Sequence, residues 1–204
     1  MQKIYIISTG PGCGEYLTEQ AKDRINQVDL VIGPSRFESI VKDKFFYVYK
    51  NVIEDTIDFI VKNRDRNIGL LVSGDAGFFS LSKHIIKYFG KDYVEVLPGV
   101  SIVQTVFAKL KEPWESTKFY SFHGKKCIDL KIDSLLNNST LILCDSKYVV
   151  AEFIEENIKI INLMSVWVMQ NVTLEDELVL KIDCLDDLLN LKENKLTVLV
   201  ILPG

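Results

Sequence analysis

Three glycine-bearing turns are the parts of this sequence best suited to hold a small molecule. Gly10-Pro11-Gly12, residues 73–77 and residues 98–101 each follow a short apolar run that predicts a strand. Small residues there let a ligand approach the backbone, whose N–H and C=O groups can recognise an adenine or a ribose. Each turn alone also fits plain turn chemistry, with Asp75 and Ser101 as helix N-caps. Three such turns at strand ends of one half-sheet favour a binding crevice.

The first of these turns matches the dinucleotide fingerprint only in part. The third glycine of that pattern falls at Glu15, and the next predicted strand ends in Gly33 rather than in an acidic residue for a ribose. The sequence therefore does not predict an ordinary Rossmann-type cofactor site.

Few side chains are suited to bind an anion or to move a proton. Arg36, one of four arginines, follows a predicted strand and a Gly-Pro turn, where it would face the crevice. His123 follows another predicted strand and precedes Gly124 and Lys125, so this loop offers either a proton carrier beside a positive charge or a structural hydrogen bond. Asp145 fits either a ligand contact or the N-cap of the next helix.

Composition excludes several classes of protein. The chain has 204 residues, 48% hydrophobic and 25% charged, which is typical of a globular protein and excludes disorder. The net charge of −4 argues against a nucleic-acid partner. The apolar runs are strand-sized and predict no membrane span, and the chain start predicts no signal peptide. The four dispersed cysteines predict reduced, buried thiols in a cytoplasmic protein without a metal site.

Apolar runs alternate with amphipathic stretches in the first half, which favours a mainly parallel sheet covered by helices. Thr18 is the predicted N-cap of the first helix, and the second should bury Ile53, Ile57, Ile60 and Val61. The aromatic residues of the third helix, Phe78, Phe79 and Phe89, are expected in the core. Strands are predicted at residues 3–8, 29–33, 45–48, 68–72 and 94–97, and the later helices at residues 78–89 and 101–110.

A second series of elements begins after Pro113 and Trp114. Its predicted strands are residues 118–121, 140–144, 159–163, 166–169 and 195–202, and its predicted helices are residues 147–156 and 184–191. We therefore predict an α/β protein of two αβα domains, residues 1–113 and 114–204, with a ligand cleft between them.

The order of these motifs resembles the tetrapyrrole methylase family. Thr9-Gly10-Pro11-Gly12 with Leu17-Thr18, Ser73-Gly74-Asp75 and Pro98-Gly99-Val100-Ser101 look like that family's ordered motifs. Residues 31–36, 73–79 and 121–125 are similar to the branch that methylates carbon 5 of a precorrin. The resemblance covers nearly the whole chain and is strongest in residues 1–125.

This resemblance implies a cytoplasmic C-methyltransferase of cobalamin biosynthesis that uses S-adenosylmethionine to methylate carbon 5 of cobalt-precorrin-7. It also implies a homodimer, and the chain ends without the carbon-15 methylase fused to some relatives, so a separate enzyme would act there. For such a substrate, position predicts the contacts: Arg36 and His123 each follow a predicted strand, one in each half, and Lys125 adds a charge beside Gly124, with His123 as the catalytic residue. The cofactor contacts implied are Pro11, Ser73, Gly74, Asp75, Phe78, Ser101, Ile102, Asp145 and Val172.

The chain departs from the family pattern at three positions. Ala76 stands where the family usually has proline, Ile102 where a second Ser or Thr is frequent, and Thr173 where the carbon-5 branch has glycine.

The alternatives to a carbon-5 precorrin methyltransferase are a methyltransferase for another precorrin position, for RNA or for a protein, and a non-enzymatic module that binds an adenine nucleotide.

Overall fold

Five parallel strands form the sheet of the first half of the chain. In the computed structural model, which describes residues 2–12, 14–41, 44–122, 135, 137–144, 146–193 and 196–203, the chain divides into two units, Met1–Ile102 and Val103–Gly204. The strands of the first unit lie in the order β3-β2-β4-β1-β5, and every pair is parallel. They are β1 (Ile4–Ser8), β2 (Leu30–Gly33), β3 (Phe46–Val48), β4 (Ile68–Val72) and β5 (Val94–Leu97).

Both faces of this sheet are buried, and alternate residues of each strand belong to different cores. Ile4 and Ile6 of β1 pack with Phe59 and Ile60 of one helix. Ile7 belongs to a second cluster, with Ala21 and Ile25 of another helix. The helices of the first unit are α1 (Glu19–Gln27), α2 (Val52–Lys62) and α3 (Ser82–Phe89), and α4 (Ile102–Leu110) begins at the boundary between the two units. The predicted β-α order of the first half is therefore confirmed.

Local sequence signals predict the start of the first helix correctly and the buried face of the second helix only in part. Thr18 caps α1 as predicted, because its Oγ1 accepts a hydrogen bond of 3.1 Å from the N–H of Ala21. The predicted buried face of α2 is partly wrong. Ile53 is 41% exposed, and Thr56 is buried instead, with its hydroxyl bonded to the carbonyl of Val52 at 2.5 Å. This bond removes the cost of burying a polar group on the helix face.

The second unit contains a mixed sheet in the order β6-β7-β10-β8-β9. Only the β6–β7 pair is parallel; the other pairs in the sheet are antiparallel. The elements are β6 (Lys118–Ser121), β7 (Thr140–Cys144), α5 (Lys147–Glu156), α6 (Lys159–Leu163), β8 (Met164–Gln170), β9 (Leu178–Ile182) and β10 (Thr197–Pro203).

Two predictions for the second half are wrong. The predicted strand at residues 159–163 is helix α6, because the N–H of Ile160 bonds to the carbonyl of Asn157 at 2.8 Å and continues a helical path after α5. Strand β9 was not predicted, although Leu178, Leu180 and Ile182 alternate toward the core. Cys144 is buried as expected, whereas Cys184 is exposed. No helix among the described residues has the length and apolar character needed to cross a membrane.

Candidate functional site

The turns after β1 and β4 meet at the carboxyl edge of the first sheet. Because β1 and β4 are parallel neighbours, their ends lie side by side. The N–H of Gly74 donates to the carbonyl of Gly10 at 2.7 Å, and the N–H of Gly10 donates back at 3.2 Å. Both glycines have positive φ, +78° at Gly10 and +66° at Gly74. The sequence motifs thus form one paired unit.

Ser8 ties this edge together from within the core. The Ser8 side chain is fully buried, and its Oγ donates to the carbonyl of Leu97 at 2.7 Å. The same oxygen accepts a hydrogen bond of 2.9 Å from the N–H of Ala76. A proline at position 76 would have no N–H to give, so Ala76 makes possible a contact that the usual residue of the family cannot make.

Asp75 links the turn after β4 to the turn after β5. Its Oδ1 accepts from the N–H of Gly77 at 2.8 Å, and its Oδ2 accepts from the N–H of Gly99 at 2.9 Å. The prediction that Asp75 caps a helix starting at Phe78 is wrong, because α3 starts only at Ser82. The carboxylate instead holds two loops in a fixed relation.

A side chain would be tolerated differently at positions 99 and 74. A Cβ at Gly99 would lie 2.5 Å from the Cβ of Ser8, so the two segments are packed as closely as backbone allows. A Cβ at Gly74 would meet nothing nearer than Ser101 Cα at 3.9 Å and the N of Ile102 at 4.0 Å. A methyl group would therefore fit over Gly74 in van der Waals contact with the start of α4, so an atom of a ligand can approach the backbone there without a clash.

The other predicted cofactor residues lie in several places. Pro11 and Ser101 are buried, and Ser73, Phe78 and Ile102 are half-buried, all in the first unit. Val172 belongs to the second unit, where it is 3% exposed in the turn after β8. His123, Lys125 and Asp145 lie outside the described residues.

Arg36 has a neighbour that the sequence analysis missed. Arg36 lies in a 3₁₀ helix (Ser35–Ile40) after β2, and its guanidinium is 4.8 Å from the ring centroid of Phe37. Tyr49 directly follows β3, the strand paired with β2. Burial raises the pKa of Tyr49, and the positive charge of Arg36 opposes that rise. A tyrosine at the end of the neighbouring parallel strand was the available signal.

The charge of Arg36 is partly exposed to solvent and partly desolvated by the protein. Arg36 as a whole residue is exposed, yet the protein around its guanidinium desolvates the charge and lowers its pKa, which the charge of Tyr49 partly offsets. An arginine starts from so high a pKa that it stays positive at neutral pH. Arg36 and Tyr49 together offer a cation and a hydroxyl donor to an anionic ligand.

The turn around Val172 contains two residues with positive φ. Asn171 has φ +48° and Thr173 has φ +75°. Thr173 therefore adopts the backbone conformation that glycine favours, at the position where the resembling branch has glycine. The N–H of Thr173 donates to Oε2 of Glu177 at 2.6 Å, and another oxygen of Glu177 pairs with Lys109 at 2.8 Å. Thr173, the departure from the family pattern, is thus a strained residue whose backbone N–H is held by a hydrogen bond to Glu177.

The comparisons with known proteins agree with this geometry. The sequence model of the family Tetrapyrrole (Corrin/Porphyrin) Methylases matches residues 3–186, and the chain belongs to that family. It is a methyltransferase with the α/β fold of that family, so the predictions of family, fold class and enzyme class are confirmed.

Particular relatives narrow the likeness further. The chain is 32% identical over 188 residues to the probable cobalt-precorrin-7 C(5)-methyltransferase of Methanocaldococcus jannaschii, covering 85% of this chain and 86% of the relative. The precorrin-6Y methylase of cobalamin biosynthesis from Archaeoglobus fulgidus shares the fold with a TM-score of 0.75 at 21% identity, over 99% of this chain and 98% of that one.

A second solved structure with the same fold contains a bound ligand. It is the uroporphyrin-III C-methyltransferase of Thermus thermophilus complexed with S-adenosyl homocysteine, with a TM-score of 0.71 at 14% identity, over 98% of this chain and 91% of that one. At this identity the likeness is one of fold.

Proposed function

We propose that this chain transfers a methyl group from S-adenosylmethionine to carbon 5 of cobalt-precorrin-7 in cobalamin biosynthesis. The observation that carries the proposal is the approachable backbone at Gly74, where a side-chain atom would meet no clash, in a chain of this methylase family. The carbon-5 specificity is supported by the relative at 32% identity, which matches along most of both chains.

The residues around Gly74 fit the methyl donor. Gly74 leaves room for a ligand against the backbone, and Asp75 and Ser8 hold the surrounding turns rigid. S-adenosylmethionine, when bound, supplies a methyl group already activated by its sulfonium. The task of the chain is therefore to align donor and carbon nucleophile, for which preformed turns are suited because they lose little entropy on binding. Pro11, Ser73, Phe78, Ser101 and Ile102 complete the proposed donor site in the first unit, and Asp145 and Val172 remain the further contacts that the family resemblance implies.

The substrate side of the proposal depends on charge. A precorrin carries several carboxylates, and Arg36 beside Tyr49 offers a cation and a hydroxyl to one of them. We assign Lys125 to a second carboxylate and His123 to proton transfer, with no metal held by the protein. Because Arg36 contacts the substrate equally before and during methyl transfer, its loss should act mainly on KM, whereas loss of a proton carrier should lower kcat.

The donor site is tested by calorimetry with a matched pair of variants. Gly74→Ala and Gly90→Ala each force a side chain into a positive-φ position, φ +66° and +90°, and neither new Cβ meets an atom closer than 3.9 Å. Both therefore incur backbone strain, but only the first fills the proposed donor space. S-adenosyl homocysteine should bind Gly74→Ala at least about tenfold more weakly and Gly90→Ala as tightly as wild type. Equal affinity in both variants would remove the donor from this place.

The substrate is tested with a radiolabelled methyl donor and a panel of acceptors. The panel contains precorrins with and without cobalt, bulk RNA and total protein. Label should enter a precorrin of the panel, and the NMR spectrum of the product should show the new methyl group on carbon 5. Label in another ring position, in RNA or in protein would replace the proposed substrate, and donor binding without transfer to any acceptor would favour the nucleotide-binding alternative.

The proposal includes assembly and compartment. We place the enzyme in the cytoplasm, in line with its dispersed cysteines, and propose that it is a homodimer, in line with the family resemblance. Light scattering at micromolar concentration should give twice the mass of 23.3 kDa. A monomer mass over the whole concentration range would contradict the dimer.

A further inference from the structure

Phe79 combines two features that are unfavourable for an ordinary phenylalanine. Its side chain is 55% exposed, although the sequence predicted it in the core. Its φ is +45°, a left-handed conformation that bulky residues adopt rarely and at a cost. The neighbouring Phe78 is half-buried, and the two rings meet edge-to-face with centroids 4.7 Å apart. An outlier of this kind at a strand-end turn motivates a search for its use.

Hydrogen bonds around the turn hold the backbone of Phe79 in this conformation. The N–H of Phe78 donates to the carbonyl of Asp75 at 3.0 Å. On the other side, the hydroxyl of Ser82 donates to the carbonyl of Ala76, and the N–H of Ser82 donates to Oγ of Ser80 at 3.1 Å. These bonds use backbone and serine groups, so the turn would close with a smaller residue at position 79. The aromatic ring is therefore not what shapes the turn.

The position of the ring relates it to the proposed site. Phe79 lies in the loop that begins at Gly74 and Asp75, and this loop is bonded to the turn after β5 through Asp75. Lys83 and His84, exposed in the first turn of α3, lie four and five residues further along the chain. An exposed ring followed along the chain by the positive charge of Lys83 fits a ligand that has a broad, partly conjugated face and carboxylates at its rim.

We propose that Phe79 is a positioning residue on which the macrocycle of the tetrapyrrole substrate stacks. The assignment rests on the proposed function and adds to it a residue outside the contacts implied by the family resemblance. The left-handed backbone of Phe79 and its exposed ring then have one explanation, because a ring that receives a ligand must lie at the surface. A protein partner on the same ring is the competing occupant.

The test compares two exposed aromatic residues that each sit edge-to-face with a neighbour. Tyr88 is 58% exposed and its ring lies 4.8 Å from that of Phe89, which matches the geometry of the Phe79 pair. Phe79→Leu and Tyr88→Leu therefore remove equivalent ring contacts at the two ends of α3. The probe is the precorrin that wild type methylates, titrated by absorbance in the presence of S-adenosyl homocysteine so that no turnover occurs.

Phe79→Leu should weaken precorrin binding about tenfold, as expected for the loss of one stacking contact, and should leave binding of S-adenosyl homocysteine unchanged. Phe79→Trp should restore precorrin binding, and Tyr88→Leu should bind like wild type. Phe79→Gly should raise the melting temperature while weakening precorrin binding, because it relieves the backbone and removes the ring. Stacking is expected to appear in KM more than in kcat.

The outcomes separate this proposal from the proposed function. If wild type binds and methylates a precorrin while Phe79→Leu binds it equally well, Phe79 is not the platform and the proposed function stands. If wild type binds none of the precorrins in the panel, both proposals fail. If Phe79→Leu changes the mass in light scattering and leaves precorrin affinity unchanged, the ring serves a protein contact, and the stacking proposal is overturned.

Discussion

Replacing Thr173 by glycine should stabilise the protein. Thr173 has φ +75°, a conformation that costs a residue with a Cβ about 1–2 kcal/mol. Its Oγ1 is buried and has no hydrogen-bond partner among the residues that the structure describes. Such a hydroxyl adds a desolvation cost of about 1 kcal/mol. Glycine removes both costs and keeps the backbone N–H bond of 2.6 Å to Glu177.

The gain is partly offset. Glycine loses more backbone entropy on folding, about 0.5–1 kcal/mol, and the variant gives up a half-buried methyl group worth about 0.8 kcal/mol. The net stabilisation expected for Thr173→Gly is about 1 kcal/mol. In a chain of this size, that amount corresponds to a rise of about 2–4 °C in the melting temperature measured by calorimetry.

Asn171→Gly is the matched control in the same turn. Asn171 also has positive φ, +48°, but asparagine tolerates this conformation better than a β-branched residue. Its side chain donates to Asp176 Oδ1 at 2.8 Å and accepts from the N–H of Leu196 at 3.2 Å. Asn171→Gly should therefore lower the melting temperature. A fall for Thr173→Gly as well, or no change, would refute the reasoning that strain at residue 173 outweighs its contacts. Thr173→Ala removes the hydroxyl and the γ-methyl group but keeps Cβ, so the difference between Thr173→Ala and Thr173→Gly isolates the backbone part.

Three further predictions follow from single contacts. Ser8→Ala should lower the free energy of unfolding in urea by about 2–3 kcal/mol, because the N–H of Ala76 and the carbonyl of Leu97 lose their buried partner, whereas Ser80→Ala should change it by much less. The N–H groups of Lys50 and Asn51 hold the pKa of Asp55 below its usual 3.8, so the stabilisation by Asp55 is complete above that value and is lost as the pH falls through the lower folded-state pKa. Wild type should therefore be more stable than Asp55→Asn at neutral pH, and the two unfolding curves should converge in acid; a constant difference would contradict this cause. Arg36→Ala should raise KM for the precorrin roughly ten- to a hundredfold with donor affinity unchanged, and Arg64→Ala, in an exposed turn, should leave both as in wild type.

Local chemistry in the sequence was enough for several parts of the fold and the site. The period of apolar residues predicted the five strands of the first sheet, and Thr18 predicted the start of α1, because these signals act within a few residues of the chain. The β-α order then predicted that the turns at Gly10 and Gly74 lie at one edge, since parallel strands with right-handed crossovers leave few alternatives.

What the tertiary structure alone decided involves partners distant in the chain. From its sequence neighbours, Asp75 looked like a helix cap. Its carboxylate in fact joins Gly77 to Gly99, which lies 24 residues after Asp75. Arg36 and Tyr49 became neighbours only through the pairing of β2 with β3. The exposure of Phe79 likewise follows from where the turn closes on Ser82, and not from the hydrophobicity of the residue. Hydrophobicity and propensity are properties of single residues and short windows, whereas these contacts depend on the packing of segments whose separation in sequence carries no such signal.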